Sequence, residues 1–220
     1  EVVVVNDRSE DDPAEILQWM KPKYERLRIV AIQADEKFSY GKKIALGVGI
    51  RAAKHPQVLL TDADCRPPGR DWISCMAAGF RNGRKIVIGH SPYEVKPGLT
   101  SLLERYDGAN KAMQYVGFAL AGFPYMGVGR NLGYTSELFY SVRKPGAAQH
   151  RHHQLMSGDD DLFINEVARA RNTTAVVDPR SFMTTRATTD LYTWFVRKRR
   201  HYTTARYYRF GHQVLLFLLP

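Results

Sequence analysis

The sequence predicts an α/β protein with a mainly parallel central sheet flanked by helices, and three observations carry that prediction. Short β-branched runs alternate with helical patterns through the first 95 residues, as βαβ units with right-handed crossovers require. One of those runs, VLLTDAD at 58–64, ends in two carboxylates, at the edge where an open α/β sheet places its ligands. With 220 residues the chain can also bury the core of one large α/β domain.

Taken in order, Val2–Val5 is β-branched throughout and suits a strand buried on both faces. A helical pattern at Pro13–Met20 leads to a strand at Leu27–Gln33, then a helix at Lys42–Lys54. Gln57–Thr61 reads as the next strand, Asp71–Gly79 as a helix and Lys85–Gly89 as a strand. Leu99–Leu120 forms one long helix broken by the GFP at 122–124. The following MGVGRNLGYTSELF segment fits neither period. A further helix is expected from Ser157, because Ser-x-x-Asp is a capping arrangement and Phe163, Val167 and Ala170 form an apolar stripe. No internal repeat or low-complexity linker interrupts this order.

The net charge of +10 calls for an anionic partner, whether nucleotide, nucleic acid or lipid head groups. Between 186 and 212, Arg186, Arg197, Lys198, Arg199, Arg200, Arg206 and Arg209 face a single acid, Asp190, interleaved with Tyr192, Trp194, Tyr202, Tyr207, Tyr208 and Phe210. VLLFLLP follows directly. Basic and aromatic residues ahead of an apolar run match a cytoplasmic membrane interface, where rings sit at the head groups and cations meet anionic lipid. This placement argues against a nucleic-acid partner, for which the overall charge is the sole support. Val214–Leu219 is shorter than the roughly 20 apolar residues a span needs. The expectation is a chain cut inside a transmembrane helix, against the alternative of a packed amphipathic helix. A start at Glu1, one residue before a buried strand, leads to the same expectation of missing residues upstream. Cys65 and Cys75 offer neither a disulfide framework nor zinc spacing, which points to a reducing compartment.

Asp62 and Asp64, one residue apart at a strand end, would share a face. Two such carboxylates repel unless a cation joins them, and hard oxygen ligands favour Mg²⁺ or Mn²⁺ completed by substrate phosphates. An Asx turn is the alternative. Asp7, directly after the first strand, can accept hydrogen bonds from a base or ribose, or cap a helix. Lys42 and the helix-opening amides of GKKIAL could meet a phosphate, although a solvated lysine has the same signature. SGDDD at 157–161 places three consecutive acids in a first helical turn. They favour the helix dipole but repel one another, and such a cluster can supply a general base without a permanent cation partner. The HRHH at 150–153 reads as a solvated loop, since consecutive residues on an extended segment diverge and do not converge on a metal.

NDRSEDD, GKKIALGVGI, TDADC, GVGRNLGYTSELF, SGDDDLF and WFVRKRRHY occur in the order and approximate spacing of the membrane-associated family 2 glycosyltransferases, and the chain resembles them over essentially its whole length. The resemblance implies a GT-A fold and an inverting transfer from a nucleotide-sugar, usually a UDP-sugar, with a divalent cation. By motif, Asp7 would bind base or ribose, Asp62 the nucleotide-sugar, and Asp64 the metal on the diphosphate. Asp160 would be the base with Asp159 second, Arg130 and Asn131 would lie in the acceptor region, and Arg197 and Arg200 would close over the diphosphate. The terminal motif departs from its usual Gln-x-x-Arg-Trp, with Arg197 and His201 in place of Gln and Trp. Processive polymer synthesis is therefore not implied. The expected organisation is a nucleotide-sugar half at 1–95, an acceptor and catalytic half at 96–185, and an interface segment at 186–220. The acceptor would be a carbohydrate or lipid-linked hydroxyl. A catalytically silent nucleotide-sugar-binding module at a membrane is the alternative function.

Overall fold

Consecutive valines lose side-chain freedom in a helix and pack well on a pleated surface, and Val2–Asn6 forms the first strand, β1. The computed structural model describes residues 1–9, 13–32, 42–142, 160–188 and 190–218, and for residues 200–202 the backbone alone. The chain divides into two units, Glu1–Val58 and Leu59–Pro220.

In the first unit, β1 is followed by α1 (Pro13–Met20), β2 (Leu27–Ala31) and α2 (Lys42–Ala52). β1 and β2 pair in parallel, with Val2 opposite Leu27 and Asn6 opposite Ala31. Helix α2 packs against β1 closely enough that a Cβ on Gly49 would meet Val5 Cγ2 at 3.0 Å. Its end is tied down by Arg28, which donates to the Ala52 carbonyl, and by the Glu1 carboxylate, which accepts from the Lys54 amide.

The second unit is built on a four-stranded sheet in the order β3 (Gln57–Leu60), β5 (Leu132–Thr135), β4 (Ile86–Ile88), β6 (Thr173–Ala175). β4 runs antiparallel to β5 and parallel to β6, and all three of its residues are fully buried. Around the sheet lie α3 (Trp72–Ala78), α4 (Leu99–Leu120), α5 (Ser136–Ser141), α6 (Asp161–Val167), α7 (Leu191–Ala205) and α8 (Phe210–Leu218). Met76 and Phe80 pack on Val87 with Leu59, Trp72 and Val176 beside them. A second, aromatic cluster joins β5, α5 and α6: the Tyr134 and Phe139 rings stack at 6.0 Å, and Phe163 lies 5.0 Å from Tyr134. The architecture is the expected one of sheets flanked by helices.

Helices α1 and α4 have the bounds expected from the sequence, and Gly122, with φ of 88°, stops α4 in a conformation other residues rarely adopt. The irregular 126–139 segment resolves into a 3₁₀ turn at Gly129–Asn131, then β5, then α5. Each piece is at most six residues long, too short to establish a period. Strand β6 has no counterpart among the expected elements. The helix expected from Ser157 begins at Asp161 with Asp160 as its cap, and Ser157 lies outside the described residues. Phe163 and Val167 are buried as expected, but Ala170 lies beyond the helix and is exposed. The apolar run from Val214 belongs to α8, which has nine residues, and among the described residues no helix is long and apolar enough to cross a membrane. The division at Val58 differs from the expected functional divisions, both of which fall within the second unit.

Candidate functional site

Strand β3 ends at Leu60, so Asp62 and Asp64 stand on the turn beyond it and not on the strand. Strand alternation therefore does not govern them, a correction to the expectation that they share a strand face. The turn is closed by the Cys65 N–H donating to the Asp62 carbonyl at 3.1 Å, and the Arg66 and Thr184 backbones exchange hydrogen bonds just beyond it. Asp64 is exposed and Asp62 partly so. Burial pushes the Cys65 thiol pKa up, as do the charges of Asp64 and Asp62, against a hydrogen bond with Thr185.

The 3₁₀ turn at Gly129–Asn131 is held from below by Asn131, which is 0% exposed. Its Oδ1 accepts from Trp72 Nε1 at 3.0 Å, and its Nδ2 donates to the carbonyls of His90 and Ser181, both at 2.8 Å. Glycine is required opposite, because a Cβ on Gly89 would lie 2.4 Å from Asn131 Nδ2. Asn131 was expected in the acceptor region, but its amide is fully enclosed. In this structure it positions the turn and presents no surface to an acceptor. Arg130, the residue before it, lies over the Tyr93 ring at 4.7 Å. Burial first, and then the Arg130 charge, holds the His90 imidazole pKa below its ordinary value.

Asp160 caps α6, with Oδ1 accepting from the Asp161 N–H at 2.8 Å. Its Oδ2 accepts from the Gly129 N–H, also at 2.8 Å, which joins the cap to the 3₁₀ turn. Asp161 points elsewhere. Its Oδ2 accepts from Thr204 Oγ1 at 2.6 Å and from the Tyr208 hydroxyl at 3.0 Å, and its Oδ1 from the Leu162 N–H. Burial, then the neighbouring Asp160 charge, raises the Asp161 pKa. Asp160 is thus the cap of α6, and Asp161 is the mount for the end of α7. Asp159, the second candidate base, lies outside the described residues.

Below α7, Glu104 of α4 is 2% exposed and accepts from the Thr188 N–H at 2.6 Å and from Arg197 Nη1 at 3.3 Å. Burial raises the Glu104 pKa, with both partners opposing. Lys198 pairs with Asp107, one turn further along α4. Burial, followed by the Lys198 charge, lowers the pKa of Lys111, which also senses Asp161 and Arg130. Arg197, expected to close over a diphosphate, is here joined to Glu104. The Arg200 side chain lies outside the described residues.

Asp7 and Lys42 belong to the first unit. Asp7 follows β1 and accepts from Arg8 Nε at 3.4 Å, Arg8 itself having a φ of 54°. Lys42 is the exposed first residue of α2.

The second unit thus joins Arg130 and Asp160 through the 3₁₀ turn. Tyr93, Trp72, Thr204 and Tyr208, which complete the arrangement, carry no sequence signal of their own. Asp161 alone was visible, as the third acid of SGDDD. The hard oxygens of Asp62 and Asp64 fit Mg²⁺ or Mn²⁺. Among the described residues no group of three or more His, Cys, Asp or Glu side chains could hold a metal. A cation here would therefore need oxygens from a bound diphosphate, as Mg²⁺ sites commonly do.

The sequence profile described as "Glycosyl transferase family 2" matches residues 1–124, more than half of the chain. The chain belongs to this family. The matched range takes in Asp7, Lys42, Asp62 and Asp64, and ends before Arg130, Asp160 and the basic helix. No curated protein matches the chain. Among solved structures, a mannosyltransferase from Pyrobaculum calidifontis in complex with GDP-Man and Mn²⁺ is similar at TM-score 0.62 and 21% identity, over 90% of this chain and 51% of its own. S. aureus TarS 1-349 is similar at TM-score 0.57 and 16% identity, over 84% of this chain and 51% of its own. Its complex with UDP-GlcNAc matches at TM-score 0.57 and 16% identity, over 86% and 50%. At these identities the likeness shows a shared GT-A fold, and the chain spans about half the length of these structures.

Proposed function

We propose that this family 2 protein is an inverting glycosyltransferase. It moves a sugar from a nucleotide-sugar, a UDP-sugar foremost, to a hydroxyl of a carbohydrate or lipid-linked acceptor at the cytoplasmic face of a membrane. The observation that carries the reading is the Asp160 carboxylate, fixed by one backbone amide on each oxygen and joined through Gly129 to the turn bearing Arg130. Support for the donor class comes from the similar folds that hold GDP-Man with Mn²⁺ and UDP-GlcNAc.

In such a transfer the acceptor oxygen attacks the anomeric carbon, its proton passes to a base, and the bond to the diphosphate breaks with its electron pair leaving on the nucleotide. Asp160 is the base, with Asp159 the alternative. A carboxylate oxygen offers about two acceptor positions, so one amide on each leaves room for the incoming hydroxyl. Arg130 lies toward the acceptor. Asp7 takes the base or ribose, and Lys42 a phosphate at the start of α2. Asp64, with Asp62, would hold a divalent cation together with the diphosphate; when bound, that ion neutralises charge on the leaving group. Arg197 and Arg200 add charge-assisted hydrogen bonds to the diphosphate, the Arg197 side chain being 45% exposed while it contacts Glu104.

The test is turnover of a panel of UDP- and GDP-sugars with Mg²⁺ or Mn²⁺, for the wild type and Asp160→Asn. Transfer should fall by roughly 10² or more in the variant, the usual scale of general base catalysis, with UDP affinity nearly unchanged. Full activity in Asp160→Asn refutes the assignment. A wild type that binds nucleotide-sugar yet transfers from none of the panel identifies a silent binding module.

A further inference from the structure

Helix α4 keeps its charged residues off its most exposed side, with Glu104 buried and the Asp107 side chain 33% exposed. Its four charged residues are Glu104, Arg105, Asp107 and Lys111, and none of them is exposed. Glu104 and Asp107 are turned toward Arg197 and Lys198 of α7. The solvent side reads Leu99, Leu102, Leu103, Tyr106, Ala109, Asn110, Met113, Gly117 and Leu120, without a single charge. At about 100° per residue these positions fall within a stripe roughly 120° wide that runs the length of the helix. The side chains are well out in solvent: Leu99 is 65% exposed, Tyr106 72%, Met113 69% and Leu120 62%. A surface helix ordinarily shows the reverse pattern, apolar inward and charged outward. An exposed apolar stripe of this length marks an interaction surface.

We propose that this stripe of α4 lies against an anionic lipid surface, in the plane of the membrane interface. The proposal deepens the membrane assignment of the proposed function by naming the surface that makes the contact. The flanking residues decide the occupant. Helix α7, packed on α4, exposes Leu191, Tyr192, Phe195 and Val196 together with Arg199. Beyond it, Arg206 and Arg209 are exposed, as are Phe210 at 80% and Phe217 at 83%. Across 190–218 the only acid is Asp190, so the charge in this segment is predominantly positive. Apolar stripes rimmed by Arg and aromatic rings suit the boundary between acyl chains and anionic head groups. A protein partner would have to supply both an apolar groove and a matching acidic rim.

The experiment is co-flotation of the 220-residue chain with vesicles of phosphatidylcholine doped with phosphatidylglycerol, against pure phosphatidylcholine. Two variants are compared with wild type: Leu102→Glu with Tyr106→Glu and Met113→Glu on α4, and Phe210→Glu with Phe217→Glu on α8. All five positions are exposed, and unchanged thermal melting confirms folding. Wild type should float with the anionic vesicles, and the α4 variant should lose about tenfold or more in vesicle affinity, since apolar burial and charge attraction act together at an interface. If the α4 variant floats like wild type while the α8 variant does not, this inference fails and the membrane reading of the C-terminal segment survives. If wild type does not float, both fail. If wild type elutes as a dimer and the α4 variant as a monomer, with flotation the same for both, the stripe binds a second copy and the inference is overturned.

Discussion

Asn131 is the residue whose removal should reveal most about how the site is held. In Asn131→Ala the Trp72 indole N–H and the Ser181 carbonyl lose the one partner each has among the described residues, whereas the His90 carbonyl keeps the Met183 amide. Each buried polar group left without a partner costs about 1–3 kcal/mol, and Trp72 is partly exposed, so the lower part of the summed range applies: about 3 kcal/mol. For a domain of this size that corresponds to a melting point lower by about 6–12 °C. Asn131→Asp is the sharper perturbation, because it keeps the shape but turns a carboxylate oxygen toward two carbonyls. The folded state then favours the protonated acid, and its pKa rises above the unfolded value. Stability is accordingly greatest below the ordinary carboxylate range and falls as pH rises through the raised pKa. Melting curves by circular dichroism between acid and neutral pH test both variants. A drop of under about 2 °C in Asn131→Ala, less than 1 kcal/mol on the same scale, would refute the reasoning, as would an Asn131→Asp variant whose deficit does not change with pH.

Three further outcomes are expected. Asp64→Ala should abolish Mn²⁺-dependent UDP affinity without unfolding, because Asp64 stands exposed on a turn; calorimetry with an unchanged affinity would make the turn purely structural. Asp161, raised by burial and by Asp160, favours folding only while protonated, so its contribution is present at low pH and fades as pH climbs through its raised pKa. Asp161→Asn should flatten that segment of the melting-point profile while leaving UDP affinity intact; a profile superimposable on wild type rules this out. Thr204→Val should weaken the hold of α7 on Asp161 by about 1–3 kcal/mol, since it leaves one carboxylate partner fewer, and should speed amide exchange at the end of α7; exchange equal to wild type would contradict it.

Local pattern was enough for the regular elements. The bounds of α1 and α4 follow from helical periodicity over at least two turns, and β1 follows from a run of valines. The 126–139 segment was illegible because a 3₁₀ turn, a strand and a helix succeed one another within it, each shorter than the window a period needs. Among site residues, the carboxylates were visible because they stand just past a strand and at a helix start, positions that local pattern locates, although turns and caps favour Asp there as well. Their supports were not. Trp72, Tyr93, Thr204 and Tyr208 lie far along the chain from what they hold, and their residue types are common in any core.

The sequence by itself determined the family, the alternation of strand and helix, the excess of positive charge near 186–212, and the acids at 62, 64 and 160. Each of these is a property of neighbours along the chain. The tertiary structure decided which of them act together and in what capacity. It made Asn131, expected in the acceptor region, a buried pin, and it set Asp160 as the cap of α6 and Asp161 as the mount for the end of α7. It also set Glu104 and Asp107 of α4 against Arg197 and Lys198. The physical reason is burial, which gives a polar group its cost and therefore its partner. Burial depends on which segments pack over a residue, and in this chain Asn131 meets Trp72 across 59 residues and Glu104 meets Arg197 across 93.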